Sequence, residues 1–162
     1  MNRKQLDNRQ ESYAANKGRA GKGKSAKKKK FVTYVISVSV GTGCYRHIKI
    51  SGDCTLEELH FAIIDAFALD DDHAHVFFPD NKAWSGDGYY SMYIEDEEKY
   101  TCDFFLSDVL EEKQKFMYIF DFGDEWRFSC RVLRITDEEC GKPEIIRTVG
   151  EAPEQYPDYD EY

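Results

Sequence analysis

The stretch Phe116-Met117-Tyr118-Ile119-Phe120-Asp121-Phe122-Gly123-Asp124-Glu125-Trp126-Arg127-Phe128-Ser129-Cys130-Arg131 reads as a β-hairpin. Two alternating apolar runs flank Gly123-Asp124, a Gly-x pair suited to a type II′ hairpin turn. The predicted strands cover 116–122 and 125–135. This turn sets Asp121 opposite Trp126, Ile119 opposite Phe128 and Met117 opposite Cys130. That set is apolar apart from Asp121, so it is the predicted core face. Asp121 then lies at the end of that face beside an indole. A buried carboxylate is costly without a partner, so Asp121 needs one.

Working outward, residues 31–40 alternate, with Val32, Tyr34, Ile36, Val38 and Val40 on one face. This predicts a strand with one buried side. Gly41-Thr42-Gly43 turns the chain into a second strand over 44–50. Thr55 and Glu58 form a capping-box pattern, and Leu56, Leu59, Ile63, Ala66 and Phe67 follow at helical spacing. The spacing predicts a helix over 56–68, covering the sheet and ending at Asp70-Asp71-Asp72. A third strand over 73–78, a polar loop over 79–88 containing Trp84, and a fourth strand over 89–94 follow. Residues 106–110 read as a short helical turn capped by Ser107. The order predicts an α+β domain: a mainly antiparallel sheet covered by one main helix plus a short helix, compatible with a β-grasp-like arrangement.

Charge divides the chain. Residues 1–30 hold 11 Lys/Arg and two acids, whereas residues 31–162 hold 11 bases and 29 acids. Beyond Met1, the first segment has only Leu6 and Tyr13 as large apolar side chains, so it is expected to be a disordered basic arm. Its closing run, Lys27, Lys28, Lys29 and Lys30, fits weak, non-specific binding of nucleic acid, with steep salt dependence. The other expectation for the arm is a solubilising tail, or one folded back on the acidic body. Residues 31–150 are the expected domain, and 151–162 an acidic extended tail from which Tyr156 and Tyr159 could pack down.

No apolar run reaches the length of a membrane span, and the first thirty residues lack a signal peptide's apolar stretch. Five cysteines without a Cys-x-x-Cys pair argue for free thiols. These features predict a cytoplasmic protein without a membrane partner.

Imidazoles and carboxylates offer one candidate chemistry. His73 and His75 share a predicted strand face, His60 lies on the preceding helix, and Asp121 and Asp124 could join them through the final hairpin. Such a set suits a divalent metal such as zinc or manganese that activates water. The other expectation is that these histidines satisfy packing and hydrogen-bond contacts. Asp121-Phe122-Gly123 spells a kinase magnesium motif, but no phosphate loop or catalytic loop accompanies it. No local pattern supports a Cys–His nucleophile, and Cys130 reads as a small core residue. Trp84, Tyr89, Tyr90 and Trp126 are candidate interaction residues, because aromatic side chains dominate interface energetics.

Three blocks resemble the plasmid pRiA ORF-three-like family. They are Tyr45-Arg46-His47-Ile48-Lys49-Ile50 with Thr55-Leu56-Glu57-Glu58-Leu59-His60, then Asp71-Asp72-His73-Ala74-His75-Val76-Phe77, then Ile119-Phe120-Asp121-Phe122-Gly123-Asp124-Glu125-Trp126. The end, Gly150-Glu151-Ala152-Pro153 with Gln155-Tyr156-Pro157-Asp158, is similar to the tail of some members. The resemblance covers about 31–160 and leaves the arm outside. It implies an α+β fold without an established activity, and a mobile-element setting, since some members carry a transposon-resolvase label. A recombinase needs an arginine-rich phosphate site, whereas the body has five arginines among 29 acids. Members often carry a His two residues after the hairpin tryptophan, where this chain has Phe128.

The leading expectation is a small non-enzymatic domain that binds a macromolecule, chiefly a protein partner, without a cofactor. The alternative is a metal-dependent hydrolase or nuclease using His60, His73, His75, Asp121 and Asp124.

Overall fold

In the computed structural model, which describes residues 32–158, the first alternating segment forms β1 (Thr33–Ser39) and pairs antiparallel with β2 (Tyr45–Ser51). The expected arm over 1–30 and Tyr159, expected to pack down onto the body, lie outside the described residues. Gly41 and Gly43 turn the hairpin at φ +59° and +73°, a region glycine enters without steric cost. The core face expected of β1 is present: Tyr34, Ile36 and Val38 are buried, and so are Thr33 and Val35 on the other side.

The helix α1 (Leu56–Ala66) starts where the capping box places it. Thr55 Oγ1 accepts from the Glu58 N–H, and Glu58 Oε2 accepts from the Thr55 N–H. It stops two residues short of the predicted end. Ala68 takes a left-handed φ of 52°, and the Leu69 N–H returns to the Ile64 carbonyl, so this closure, not the aspartate run, ends the helix.

The chain continues through β3 (His75–Phe78), β4 (Tyr89–Tyr90), a 3-10 turn (Thr101–Asp103) and a short helix α2 (Leu106–Val109). β4 is two residues, not six, because the chain turns at once: the Ile94 N–H bonds to the Ser91 carbonyl. Ser107 does not cap α2. Phe105 holds the cap position, and its N–H donates to Asp108 Oδ2.

The final hairpin is β5 (Lys115–Phe120) and β6 (Trp126–Thr136), and its register differs by one from the expected one. Phe120 opposes Trp126, Tyr118 opposes Phe128 and Phe116 opposes Cys130. The β6 core face is as expected, but on β5 the core face is Phe116, Tyr118 and Phe120. The cause is the turn. Gly123 is not at positive φ, so no type II′ turn forms, and five residues, 121–125, make the connection. Asp121 enters the left-handed region at φ 60°, its Oδ1 accepts from the N–H groups of Gly123 and Asp124, and its carbonyl accepts from the Glu125 N–H. An odd change in loop length shifts the register by one and turns every β5 side chain over.

One strand was not expected. β7 (Glu144–Val149) pairs antiparallel with β2 and closes a seven-stranded sheet in the order β4-β3-β5-β6-β1-β2-β7, in which every pairing is antiparallel. The fold is α+β, with the sheet dominant; this order does not show the β-grasp-like arrangement. α1 covers one face through Leu56, Leu59 and Ile63. On the other face, Val76, Phe78 and Ile119 form a smaller core beneath Ala83, Tyr90, Met117 and Phe122.

Candidate functional site

Two of the three candidate histidines meet inside the protein. His60 reaches down from α1 and His75 opens β3, and their rings stack 3.7 Å apart at 13°. Both are buried. His60 Nε2 lies 3.0 Å from Asp71 Oδ1 and Nδ1 lies 2.6 Å from the Tyr118 hydroxyl. A carboxylate only accepts, so Nε2 donates to Asp71 and Nδ1 accepts from the Tyr118 O–H. Burial pushes the Tyr118 phenol well above its ordinary value, which keeps that proton in place. His75 Nε2 pairs with Thr101 Oγ1 at 2.8 Å. Burial, then the neighbouring His60, hold His75 well below its ordinary value.

Asp71, His60 and Tyr118 thus form a hydrogen-bonded chain of carboxylate, imidazole and hydroxyl. Its terminal hydroxyl belongs to a side chain with no exposed surface. No substrate reaches that oxygen, so the chain acts as a polar pin between α1, the segment after it and β5.

His73 does not share a strand face with His75. It precedes β3, stands at the surface and pairs with Asp72 Oδ1 at 2.8 Å; Asp121 Oδ2 lies 3.6 Å away. The bond to Asp72 raises its affinity for a proton. Asp121 is buried, but both N–H partners belong to its own turn, while Asp124 is exposed. The five residues therefore do not converge. Among the described residues, no group of three or more His, Cys, Asp or Glu side chains is placed to hold a metal ion. The free cysteines include Cys102, whose thiol is pushed up to about 12 by burial and by Asp103, far from a reactive thiolate.

Asp121→Ala is expected to lower stability by about 2 kcal/mol, since it strands two turn N–H groups and puts alanine in the left-handed region. Asp121→Asn keeps the acceptor and tolerates that region, so its unfolding midpoint should stay near wild type. Urea denaturation of both variants checks the pair.

The aromatic candidates occupy three places. Trp84 is 42% exposed, packs edge-on against Phe78 and Phe122 with Tyr90 nearby, and donates to Glu125. Tyr89 meets Phe104 edge-on under the Lys99 ammonium. Trp126 stacks against Phe128 in the main core. They do not form one surface.

Arg46 was not singled out from sequence, although it sits in the first family-like block. It is buried on β2, donates from Nε to the Ala66 carbonyl at the end of α1, and donates from Nη1 to the Val149 carbonyl of β7. A cation at a helix C-terminus opposes the dipole there, so Arg46 ties α1, β2 and β7 together. The tail also docks. The Gln155 amide accepts from the Asp70 N–H and donates to the Asp70 carbonyl, and the Tyr156 hydroxyl donates to Asp72 Oδ2 at 2.6 Å.

Where α1 and β7 diverge, they leave an apolar hollow of about 550 Å³. Ile48, Cys54, Phe61, Ala62, Pro143 and Ile145 line it. Glu58, Asp65, Glu144 and Lys142 also line it. β7 is a sheet edge among the described residues, and Ile145 and Ile146 on it are 43% and 42% exposed.

Residues 36–158, which hold the sheet core, the histidine pin and the docked tail, match the model of the plasmid pRiA4b ORF-3-like proteins. The chain belongs to this family. Among solved structures, a protein of unknown function from Methanosarcina mazei Go1 matches with a TM-score of 0.62 and 24% identity, over 75% of this chain and 72% of that one. That likeness shows the fold. No curated protein matches the chain. In the chain at hand, the family-like blocks map onto structure: the first supplies β2 and the start of α1, the second the stacked His75, the third the Asp121 turn. Phe128, in place of the His often found there, packs between Phe67 and Tyr118 and is 1% exposed.

Proposed function

We propose that this domain binds an extended segment of a partner protein along β7. The observation that carries the reading is the sheet edge at β7, which has no further strand among the described residues, beside the apolar hollow. An edge strand offers unpaired N–H and C=O groups, and an added strand satisfies them while alternate side chains enter a neighbouring pocket. Glu58, Asp65 and Glu144 outnumber Lys142 around the hollow. The complementary segment alternates apolar residues with Lys or Arg.

Selection from a random peptide library against the full-length chain tests this. Enriched peptides should alternate apolar and basic residues. Ile145→Lys, at an exposed position, should weaken them at least about tenfold without changing the unfolding midpoint. Peptides without that pattern, or ones indifferent to Ile145→Lys, contradict the reading.

A further inference from the structure

The ladder registers align side chains from five strands on the sheet face opposite α1. Lys115 stands beside Arg131, Arg131 beside Ser37, Ser37 beside His47 and His47 beside Arg147. The next row runs Met117, Ser129, Ser39, Tyr45 and Val149. On the far side of the first, Arg134 opposes Val35, which opposes Lys49, and the row ends on the acid Glu144 opposite Lys49. Their strand neighbours Phe116, Cys130, Ile36 and Ile48 are buried in the main core, so these rows lie on the opposite face, where Val35 is buried and Met117 packs against the smaller core while the basic side chains reach solvent. The body holds 29 acids and 11 bases over 31–162, yet six of those bases lie on this face, Arg127 opposite Ile119 included, and neither of the first two rows contains an acid.

Of the cations in these rows, Lys49 pairs with Glu138 at 3.6 Å. Among the described residues, Lys115, Arg131, Arg134 and Arg147 pair with no carboxylate, and all four are exposed. Arg147 and Arg134 both depress the proton affinity of His47, after burial, which places their charge near its ring. Beside the row lies a polar hollow of about 350 Å³ lined by Ser37, Ser39, Asn81, Lys115, Ser129 and Arg131. Hydroxyl, amide and cationic donors are the groups that hold phosphate oxygens. Tyr45 adds a half-buried ring 5.3 Å from that of His47, with the Arg147 guanidinium 5.7 Å above it.

We propose that this open sheet face binds single-stranded nucleic acid, with the row from Lys115 to Arg147 on its phosphates and Tyr45 stacking a base. Four strand spacings give the row a span of roughly 19 Å, enough for several nucleotides. A half-exposed aromatic ring can stack an unpaired base, whereas a duplex keeps its bases stacked on one another. Residues 1–30 carry 11 Lys/Arg, which add affinity for phosphate without sequence preference. The acids elsewhere confine the polyanion to this face.

Fluorescence anisotropy with a labelled 20-nucleotide oligothymidine and the full-length chain, from 50 to 200 mM salt, tests the proposal. The affinity should fall steeply with salt. R131Q/R147Q should bind about tenfold more weakly and flatten the slope of log K against log salt by about 1.4, two phosphate contacts at roughly 0.7 each. K115Q/R131Q samples the other end of the row and should behave alike. K27Q/K28Q/K29Q/K30Q should also weaken binding, and what remains should still respond to R131Q/R147Q. The proposal is overturned if the oligonucleotide does not bind at 50 mM salt. It is equally overturned if both row variants bind like wild type, or if polyglutamate or a 20-base-pair duplex competes as well as unlabelled single strand.

Discussion

Replacing Tyr118 with alanine is expected to cost about 3–5 kcal/mol, the range for removing a large aromatic from a close-packed core. Its ring lies 4.8 Å from that of Phe77 and 5.3 Å from that of Phe128, at the middle of the β5–β6 core face. Tyr118→Phe isolates the hydroxyl. It keeps the ring but leaves His60 Nδ1 without its donor in a buried place, which costs about 1–3 kcal/mol. Urea denaturation gives both values, provided the slope with denaturant is unchanged. A loss below about 1 kcal/mol for Tyr118→Ala would mean that Tyr118 does not lie in the core.

Mild acid is the second large effect. Burial keeps His75 neutral, with a folded-state pKa well below its ordinary value of 6.5. Below pH 6.5 the unfolded chain binds the proton that the folded chain refuses. Stability is therefore complete above that pH and falls as the pH drops beneath it, by up to about 1.4 kcal/mol per unit for one group. His73 runs the other way. Its affinity is raised by Asp72, so its contribution is present at low pH and is lost as pH rises through its folded value, but it is solvent-exposed and weak. Unfolding free energies from pH 7.5 to 5.0 should fall toward acid in the wild type and fall less steeply in His75→Gln. A flat wild-type profile would show that His75 is not buried as a neutral ring.

What was legible in the sequence follows from where local chemistry is decisive. Thr55 and Glu58 fix the start of α1 because capping is settled within four residues. The face of β1 was legible because Tyr34, Ile36 and Val38 keep a period of two. The hairpin face on β5 was not, because Phe116 to Phe122 is apolar at nearly every position and both sides of the sheet are covered there. Only the Asp121 turn settles the parity, and it depends on a side chain that bonds its own loop instead of on Gly123. β7 escaped because Ile146 is a bulge residue, unopposed between Ile145 and Arg147, so adjacent isoleucines break the alternation.

The candidate site divides in the same way. His60, His73, His75 and Asp121 stood out as titratable groups, but their directions are tertiary facts. Thr101 and Tyr118, which partner the two buried rings, carry no sequence signal that links them. The basic rows on the open face come from β1, β2, β5, β6 and β7, and no segment of the chain shows them alone. A net charge of −9 over the whole chain hides them, since only the strand order brings Lys115 and Arg147 into one line.

The histidine pin ties α1 to β5 in the interior, and the proposed partner segment would add at the β7 edge. Amide hydrogen exchange on the full-length chain, with and without a library-selected peptide, tests it most directly. Added protection is expected over Glu144–Val149 and along the α1 side of the hollow, with no change around His60, His75 and Tyr118. Protection centred on those three residues, with β7 exchanging as before, would contradict it.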